Sequence, residues 1–271
     1  MARLTVVQDI ASVSATAAER LASLTEGSPA GPGARAISLT GGNTPRQLYE
    51  YLADPAQSWR TLIDWSQVEL FWGDERNVPP DHPDSNFGLA NRSLIRHVPI
   101  PAAQVHRMRG EVPAVEAACE YDVMLRARRQ AGRALFDVML LGIGAVGHIA
   151  SLFPDSPLLN RDETSRGGTT VPPGSVTRAG TRNEPARRNG DELASDVFVA
   201  TLNQWRITLT PPALLDSHAI IVIAAGPEKA DAIATAIEGA LDVQRHPAQL
   251  LRAAGERVEW IIDEAAARLM S

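Results

Sequence analysis

Two residue types are nearly missing from this sequence. One cysteine, Cys119, stands alone among 271 residues, which excludes an internal disulfide and any metal cage built from cysteines. Its neighbours Ala118, Tyr121 and Leu125 line one face of a helical pattern, so a small core residue is expected there rather than a nucleophile. Lysine is as scarce: of 26 basic residues only Lys229 is lysine and the rest are arginine. One reading of that survivor is a site that needs a compact ammonium rather than a planar fork; the other is a surface lysine kept by chance. Positive charge is in deficit too. The formal net charge of −6 provides no general attraction to nucleic acid or to an anionic membrane, so an anionic ligand must be held by a local cluster. No apolar run is long enough to span a bilayer and no secretory leader pattern opens the sequence, so a cytoplasmic compartment is expected.

What is present is ample material for a core, with 44% hydrophobic residues in a chain of this length. Five apolar runs read as strands: Ala36–Thr40, Val68–Trp72, Asp137–Leu141, Ala219–Ala224 and Val258–Ile262. Several are continuous rather than alternating, as strands buried on both faces should be. Helical patterns at roughly 11–25, 45–54, 84–97, 113–131, 228–241 and 263–270 lie between them. Strand alternating with helix predicts an α/β fold, a doubly wound, mainly parallel, Rossmann-like sheet with helices on both faces. No composition shift or internal repeat divides it, so residues 1–271 are expected to form a single domain. The stretch 160–192 breaks the pattern: it is rich in Gly, Pro, Thr, Ser and Asn and carries Arg161, Arg166, Arg178, Arg182, Arg187 and Arg188. It reads as a flexible insertion, and its closeness to the next motif leaves a lid open as the other reading.

Chemistry concentrates where strands end. The run Phe136–Leu141 leads into Gly142-Ile-Gly144-Ala-Val146-Gly147-His148-Ile-Ala-Ser151-Leu-Phe-Pro154, a glycine-rich turn at the carboxyl edge of a buried strand, where open α/β sheets bind ligands. Ser38-Leu-Thr40-Gly41-Gly42-Asn43-Thr44-Pro45 is a second such turn. Its backbone N–H groups, the dipole of the following helix and the Thr44 hydroxyl make a phosphate cradle, or else an ordinary turn with Thr44 as N-cap. Phe71-Trp-Gly-Asp74-Glu75-Arg76 through Phe87 places Arg76 for bidentate bonds to a phosphate or carboxylate. Asp74 and Glu75 there hold Arg76 or His148 in place, or form a salt-bridged scaffold for Arg76 alone. His82 reads as a turn residue, and Asp84-Ser85-Asn86 as a helix N-cap. Ala224-Ala-Gly226-Pro227-Glu-Lys229 brings Lys229 out of a first helical turn, where an ammonium neutralises a phosphate.

These blocks resemble the 6-phosphogluconolactonase family. The family signature is Gly-x-Gly-x-Asp-Gly-His-x-Ala-Ser-Leu-Phe-Pro, and its Ser-Gly-Gly-Ser-Thr-Pro element corresponds to Thr40–Pro45. The Phe71–Phe87 block is almost identical to its family counterpart, and Arg206-Ile-Thr-Leu-Thr210 matches a further element that serves the substrate or the fold. The resemblance runs from about residue 36 to residue 266. It implies hydrolysis of 6-phospho-D-glucono-1,5-lactone to 6-phosphogluconate in the oxidative pentose phosphate pathway, without a metal or cofactor. In that reading His148 is the general base, Gly142, Gly144 and Gly147 supply oxyanion donors, and Gly41, Gly42, Asn43, Thr44, Arg76, Arg206 and Lys229 hold the sugar phosphate. The chain departs from the family at Val146, which replaces an aspartate suited to orienting the imidazole; Asp74 is the candidate to take over that role.

Two alternatives stay open. One is a sugar-phosphate-binding homologue with weakened or absent turnover. The other is an isomerase like the glucosamine-6-phosphate deaminases, which share the fold and a similar histidine block. Theirs continues into Phe-Asn-Glu-Pro, whereas this chain continues Ser151-Leu-Phe-Pro154 and lacks that glutamate; only Ile149 leans toward the deaminase.

Overall fold

In the computed structural model, residues 2–26, 33–133, 135–159 and 191–270 are described. Nearly all of the expected insertion at 160–192 therefore lies outside the described residues, as do its six arginines. Nine strands are present among those described: β1 (Arg3–Val7), β2 (Arg35–Leu39), β3 (Val68–Trp72), β4 (Asp74–Arg76), β5 (Phe136–Gly142), β6 (Ala194–Val199), β7 (Gln204–Leu209), β8 (Ser217–Ala224) and β9 (Val258–Asp263). Eight α-helices accompany them: α1 (Ile10–Thr25), α2 (Asn43–Ala53), α3 (Trp59–Leu62), α4 (Asn86–Ser93), α5 (Ala114–Gln130), α6 (Pro211–Leu215), α7 (Ala230–Ile237) and α8 (Glu264–Ala267).

Six strands form one sheet in the order β1-β9-β8-β5-β2-β3, and every pairing in it is parallel. The five apolar runs all fall in this sheet, as the doubly wound reading expects. Their side chains divide between two cores, because successive residues of a strand point to opposite faces. In β5, Met139 and Leu141 join the core under α5, α6 and α7, while Val138 and Leu140 join the core under α1, α2 and α4. The chain runs outward from β2 to β3 on one side and from β5 through β8 to β9 on the other. The order thus reverses between β2 and β5, and the crevice at such a switch point is where open α/β sheets take ligands.

A second, antiparallel sheet has the order β4-β7-β6. Gly73 joins the two sheets: its N–H donates to Leu39 O at 2.9 Å and its carbonyl accepts from Leu209 N at 2.8 Å. Strand β7 alternates cleanly. Ile207 and Leu209 enter the core, which leaves Arg206 and Thr208 on the other face, opposite Arg76 and Asp74 of β4.

Some expectations are corrected. Cys119 is exposed, because one step along α5 turns a side chain by about 100° away from the face on which Ala118, Tyr121 and Leu125 are buried. The helix expected over 84–97 stops at Ser93, where Leu94 leaves helical geometry (φ −134°, ψ −63°). Helix α2 starts earlier than expected, with Gly42 at its N-cap (φ 113°), so Thr44 is a first-turn residue rather than the cap. The Ser85 cap stands, its hydroxyl accepting from Gly88 N at 2.9 Å. His82 is a turn residue as expected, half-buried and accepting from Asp84 N through Nδ1 at 3.1 Å.

Candidate active site

Three loops at the carboxyl ends of β2, β5 and β8, together with one face of the small antiparallel sheet, enclose a cavity of about 330 Å³. Gly41, Gly42, Asn43, Thr44, Asp74, Arg76, Gly142, Gly144, His148, Arg206 and Lys229 all line it. Gly147 is not among the lining residues. Its N–H donates to Gly144 O at 2.9 Å, and Gly144 N–H in turn donates to His148 O at 2.9 Å. Those two amides close the turn on itself, which corrects the expectation that Gly144 and Gly147 offer N–H groups to a ligand. The backbone donors that do face the cavity begin α2: Gly42 caps that helix without any side-chain bond, and a helix leaves its first N–H groups unpaired.

His148 sits in this turn with its ring stacked on Phe153, centroids 3.9 Å apart and planes at 16°. The close approach of its ring requires Gly144, since a Cβ there would lie 1.9 Å from His148 Cε1. Nδ1 is buried without a partner, so Nε2 is the nitrogen open to the cavity. Burial lowers the imidazole pKa from 6.5 to about 4; the neighbouring Asp74 carboxylate opposes that shift, while Lys229, Arg206 and Arg76 reinforce it. The ring is therefore neutral at pH 7 and able to accept a proton.

The cations come from two strands and a helix start. Arg76 and Arg206 are directly opposite each other in the β4–β7 pairing. Like charges in such a cross-strand pair are destabilising, and an anion bound between them would relieve that repulsion. Arg206 is buried, and burial lowers its pKa; Nε donates to Gln204 at 3.1 Å and one terminal nitrogen lies 3.9 Å from Asp74. Arg76 donates to the Asp84 carbonyl, but its buried Nε has no partner. Lys229 closes the short 3-10 turn Pro227–Lys229 just ahead of α7 and has no ion-pair partner among the described residues. Arg76 Nε, Asn86 Oδ1 and His148 Nδ1 are all unpaired buried atoms of cavity-lining residues. Such groups are rare in folded proteins, and each calls for a partner such as water, an ion or a ligand.

The two carboxylates have different jobs from the ones expected. Glu75 does not hold Arg76 by its guanidinium. It accepts the backbone N–H groups of Asn86 (2.7 Å) and Phe87 (2.8 Å) and the Ser85 hydroxyl (3.0 Å), pinning the start of α4, and burial raises its pKa in spite of them. Asp74 is held by Asn86 Nδ2 at 3.0 Å and by the Ser151 hydroxyl at 2.6 Å. Both of its oxygens are thus engaged, and it makes no hydrogen bond to His148.

Sequence reasoning missed the supports. Tyr49, fully buried in α2, accepts from Thr40 N at 3.0 Å and donates to Thr40 O at 2.7 Å, fixing the peptide that opens the glycine loop; burial raises its pKa. Tyr121 does the same for Trp72 at the end of β3, accepting from its N–H at 2.9 Å and donating to its carbonyl at 3.3 Å. A buried tyrosine reads as core until its hydroxyl partner is known, so no sequence signal marked either residue. Tyr49→Phe should cost about 1–3 kcal/mol of stability in urea unfolding, because it strands two buried backbone groups; an unchanged midpoint would show that Thr40 is satisfied without it.

A neutral imidazole, a helix start without a side-chain cap and three cations around one crevice bring together groups that can bind an anion and accept a proton from a nucleophile. The chain belongs to the family described as glucosamine-6-phosphate isomerases/6-phosphogluconolactonase, whose model matches residues 8–182 and 182–260. It is similar to the 6-phosphogluconolactonase of Mycobacterium tuberculosis, 37% identical over 271 residues covering 95% of this chain and 94% of the relative. Similarity to the 6-phosphogluconolactonase of Synechocystis is 33% over 239 residues, covering 85% and 82%. The solved 6-phosphogluconolactonase of Trypanosoma brucei shares the fold with a TM-score of 0.78 at 24% identity, covering 100% and 99%. A monomeric glucosamine-6-phosphate deaminase shares it as well, with a TM-score of 0.74 at 20% identity over 98% and 99%. The fold is common to both activities, and the site must separate them.

Proposed function

We propose that this chain is a 6-phosphogluconolactonase, hydrolysing 6-phospho-D-glucono-1,5-lactone to 6-phosphogluconate in the oxidative pentose phosphate pathway, with residues 1–271 acting as one cytoplasmic lactonase domain. The observation that carries the reading is a neutral His148 facing the same cavity as Arg76, Arg206 and Lys229. The substrate is a small sugar phosphate; neither nucleic acid nor membrane is a partner. Among the described residues no helix is long and apolar enough to cross a membrane.

Arg76, Lys229 and the α2 amides hold the anionic substrate, and this remote binding fixes the C1 carbonyl beside His148. Nε2 of His148 takes a proton from water as the water oxygen bonds to C1. The tetrahedral oxyanion then collapses, the bond from C1 to the ring oxygen breaks, and the imidazolium returns its proton to that oxygen. Hydrolysis opens the ring as the free acid, which ionises. Deamination of glucosamine 6-phosphate is disfavoured because Ser151-Leu152-Phe153-Pro154 stands where the deaminases carry their glutamate. Purified protein should therefore accelerate lactone hydrolysis above the spontaneous rate and release no ammonia from glucosamine 6-phosphate; the reverse pattern would overturn the reading.

The unpaired Nδ1 of His148 favours a second reading, a sugar-phosphate binder of reduced turnover. Val146, in the Gly144–Gly147 turn, is 57% exposed, and valine gives the imidazole no acceptor. Val146→Asp should raise kcat several-fold, well below the ~10²–10⁴ of a general base itself, with KM unchanged because the anchors are untouched. A folded Val146→Asp protein with wild-type kcat would mean that a carboxylate in this turn does not reach the ring.

A further inference from the structure

For Nε2 to act as a base, the ring of His148 must be neutral, carry its own proton on Nδ1 and keep one orientation. An acceptor on Nδ1 ordinarily enforces this. Here Nδ1 is buried and unpaired, Asp74 is engaged by Asn86 and Ser151, and Val146 points to solvent. What touches the ring is Phe153, stacked at 3.9 Å, and the bare backbone of Gly144. The chain is folded to make that contact. Ala150 takes a left-handed conformation (φ 47°), and Leu152 N–H bonds back to Ile149 O at 3.0 Å. Ile149 and Leu152, both fully buried, anchor this reversal, and Phe153 returns over the imidazole.

Resting on the lactonase reading above, we propose that Phe153 is a positioning residue for lactone hydrolysis, its stacked ring and the Gly144 backbone together fixing the His148 orientation that a carboxylate would otherwise fix. Stacked pairs prefer a defined offset geometry, which restricts rotation of the imidazole about its bond to Cβ. The same stack covers the ring from water, with Asp74, Arg76, Arg206 and Lys229 the charged groups that face it.

Phe153→Leu keeps an apolar side chain of similar bulk and removes only the ring. It should lower kcat by about tenfold while leaving KM for the lactone unchanged, and it should move the acid limb of kcat/KM upward, toward the ordinary histidine range. Phe153→Tyr, which keeps the ring, should retain wild-type kcat. In proton NMR the His148 ring signals should be shifted upfield by the Phe153 ring current in the wild type and in Phe153→Tyr, and lose that shift in Phe153→Leu. Wild-type kcat in a folded Phe153→Leu protein, a loss seen in KM instead, or His148 signals without an upfield shift in the wild type would each overturn the proposal. If Phe153→Leu does not fold, the wild-type and Phe153→Tyr spectra still decide it. Absence of lactone hydrolysis in the wild type would instead bring down the lactonase reading, while the NMR measurement still reports whether the ring is held.

Discussion

His148→Gln should lower kcat by roughly 10²–10⁴-fold while 6-phosphogluconate binds with nearly wild-type affinity. A base acts on the proton of the attacking water in the transition state, and its ring contributes little to holding the ground state. Glutamine fills much of the same space and cannot accept the proton. The substitution has a second signature, in stability. The folded-state pKa of about 4 lies below the ordinary 6.5, so the unfolded chain binds this proton more readily than the folded one. The wild type therefore loses stability as pH falls from 6.5 through 4. His148→Gln should lose less over that window, as chemical unfolding at a series of pH values would show. Equal kcat in the two proteins would move the base elsewhere, with Asp74, whose charge acts on the imidazole, the next candidate.

Removing the anchors should have the opposite kinetic pattern. Arg76→Ala and Lys229→Ala should each weaken 6-phosphogluconate binding about tenfold or more, since a charge-assisted bond to phosphate is worth roughly 1.5–3 kcal/mol, and KM for the lactone should rise with it. Neither change should reduce thermal stability, because Lys229 has no ion-pair partner among the described residues and Arg76 keeps a buried Nε with nothing to bond. Relief of the Arg76–Arg206 opposition should even offset the loss of the bond to the Asp84 carbonyl. Calorimetric titration that returned wild-type affinity for both variants would end the assignment of these cations.

The large sheet was legible because its strands are buried on both faces and so read as unbroken apolar runs, of which β5 is the clearest. Strand β1 escaped notice because it is a five-residue edge strand with Leu4 and Val6 exposed. Strand β4 escaped because it is only Asp-Glu-Arg; its register comes from pairing with β7, not from hydrophobicity. The lining residues were legible through their glycine turns and charge, with Lys229 marked further by the rarity of its type. Their partners were not. That Asp74 belongs to Asn86 and Ser151, and Glu75 to the start of α4, depends on contacts between segments distant in sequence, which no local pattern encodes. The turn amides of Gly144 and Gly147 misled for a related reason: a glycine's freedom predicts a tight turn, but whether its N–H faces inward or toward a ligand is decided by which carbonyl the turn brings near.

The most direct test is the pH dependence of kcat/KM for the lactone, with spontaneous hydrolysis subtracted at every pH, because that ratio reports the ionisation of the free enzyme. A neutral, half-buried His148 among Arg76, Arg206 and Lys229 predicts a rate that holds steady from neutral pH down to about pH 5 and then falls with an apparent pKa of about 4. That limb should be absent from whatever residual activity His148→Gln retains. A limb at the ordinary imidazole value of 6.5, or the same limb in both proteins, would contradict the account of His148 as the base of this site.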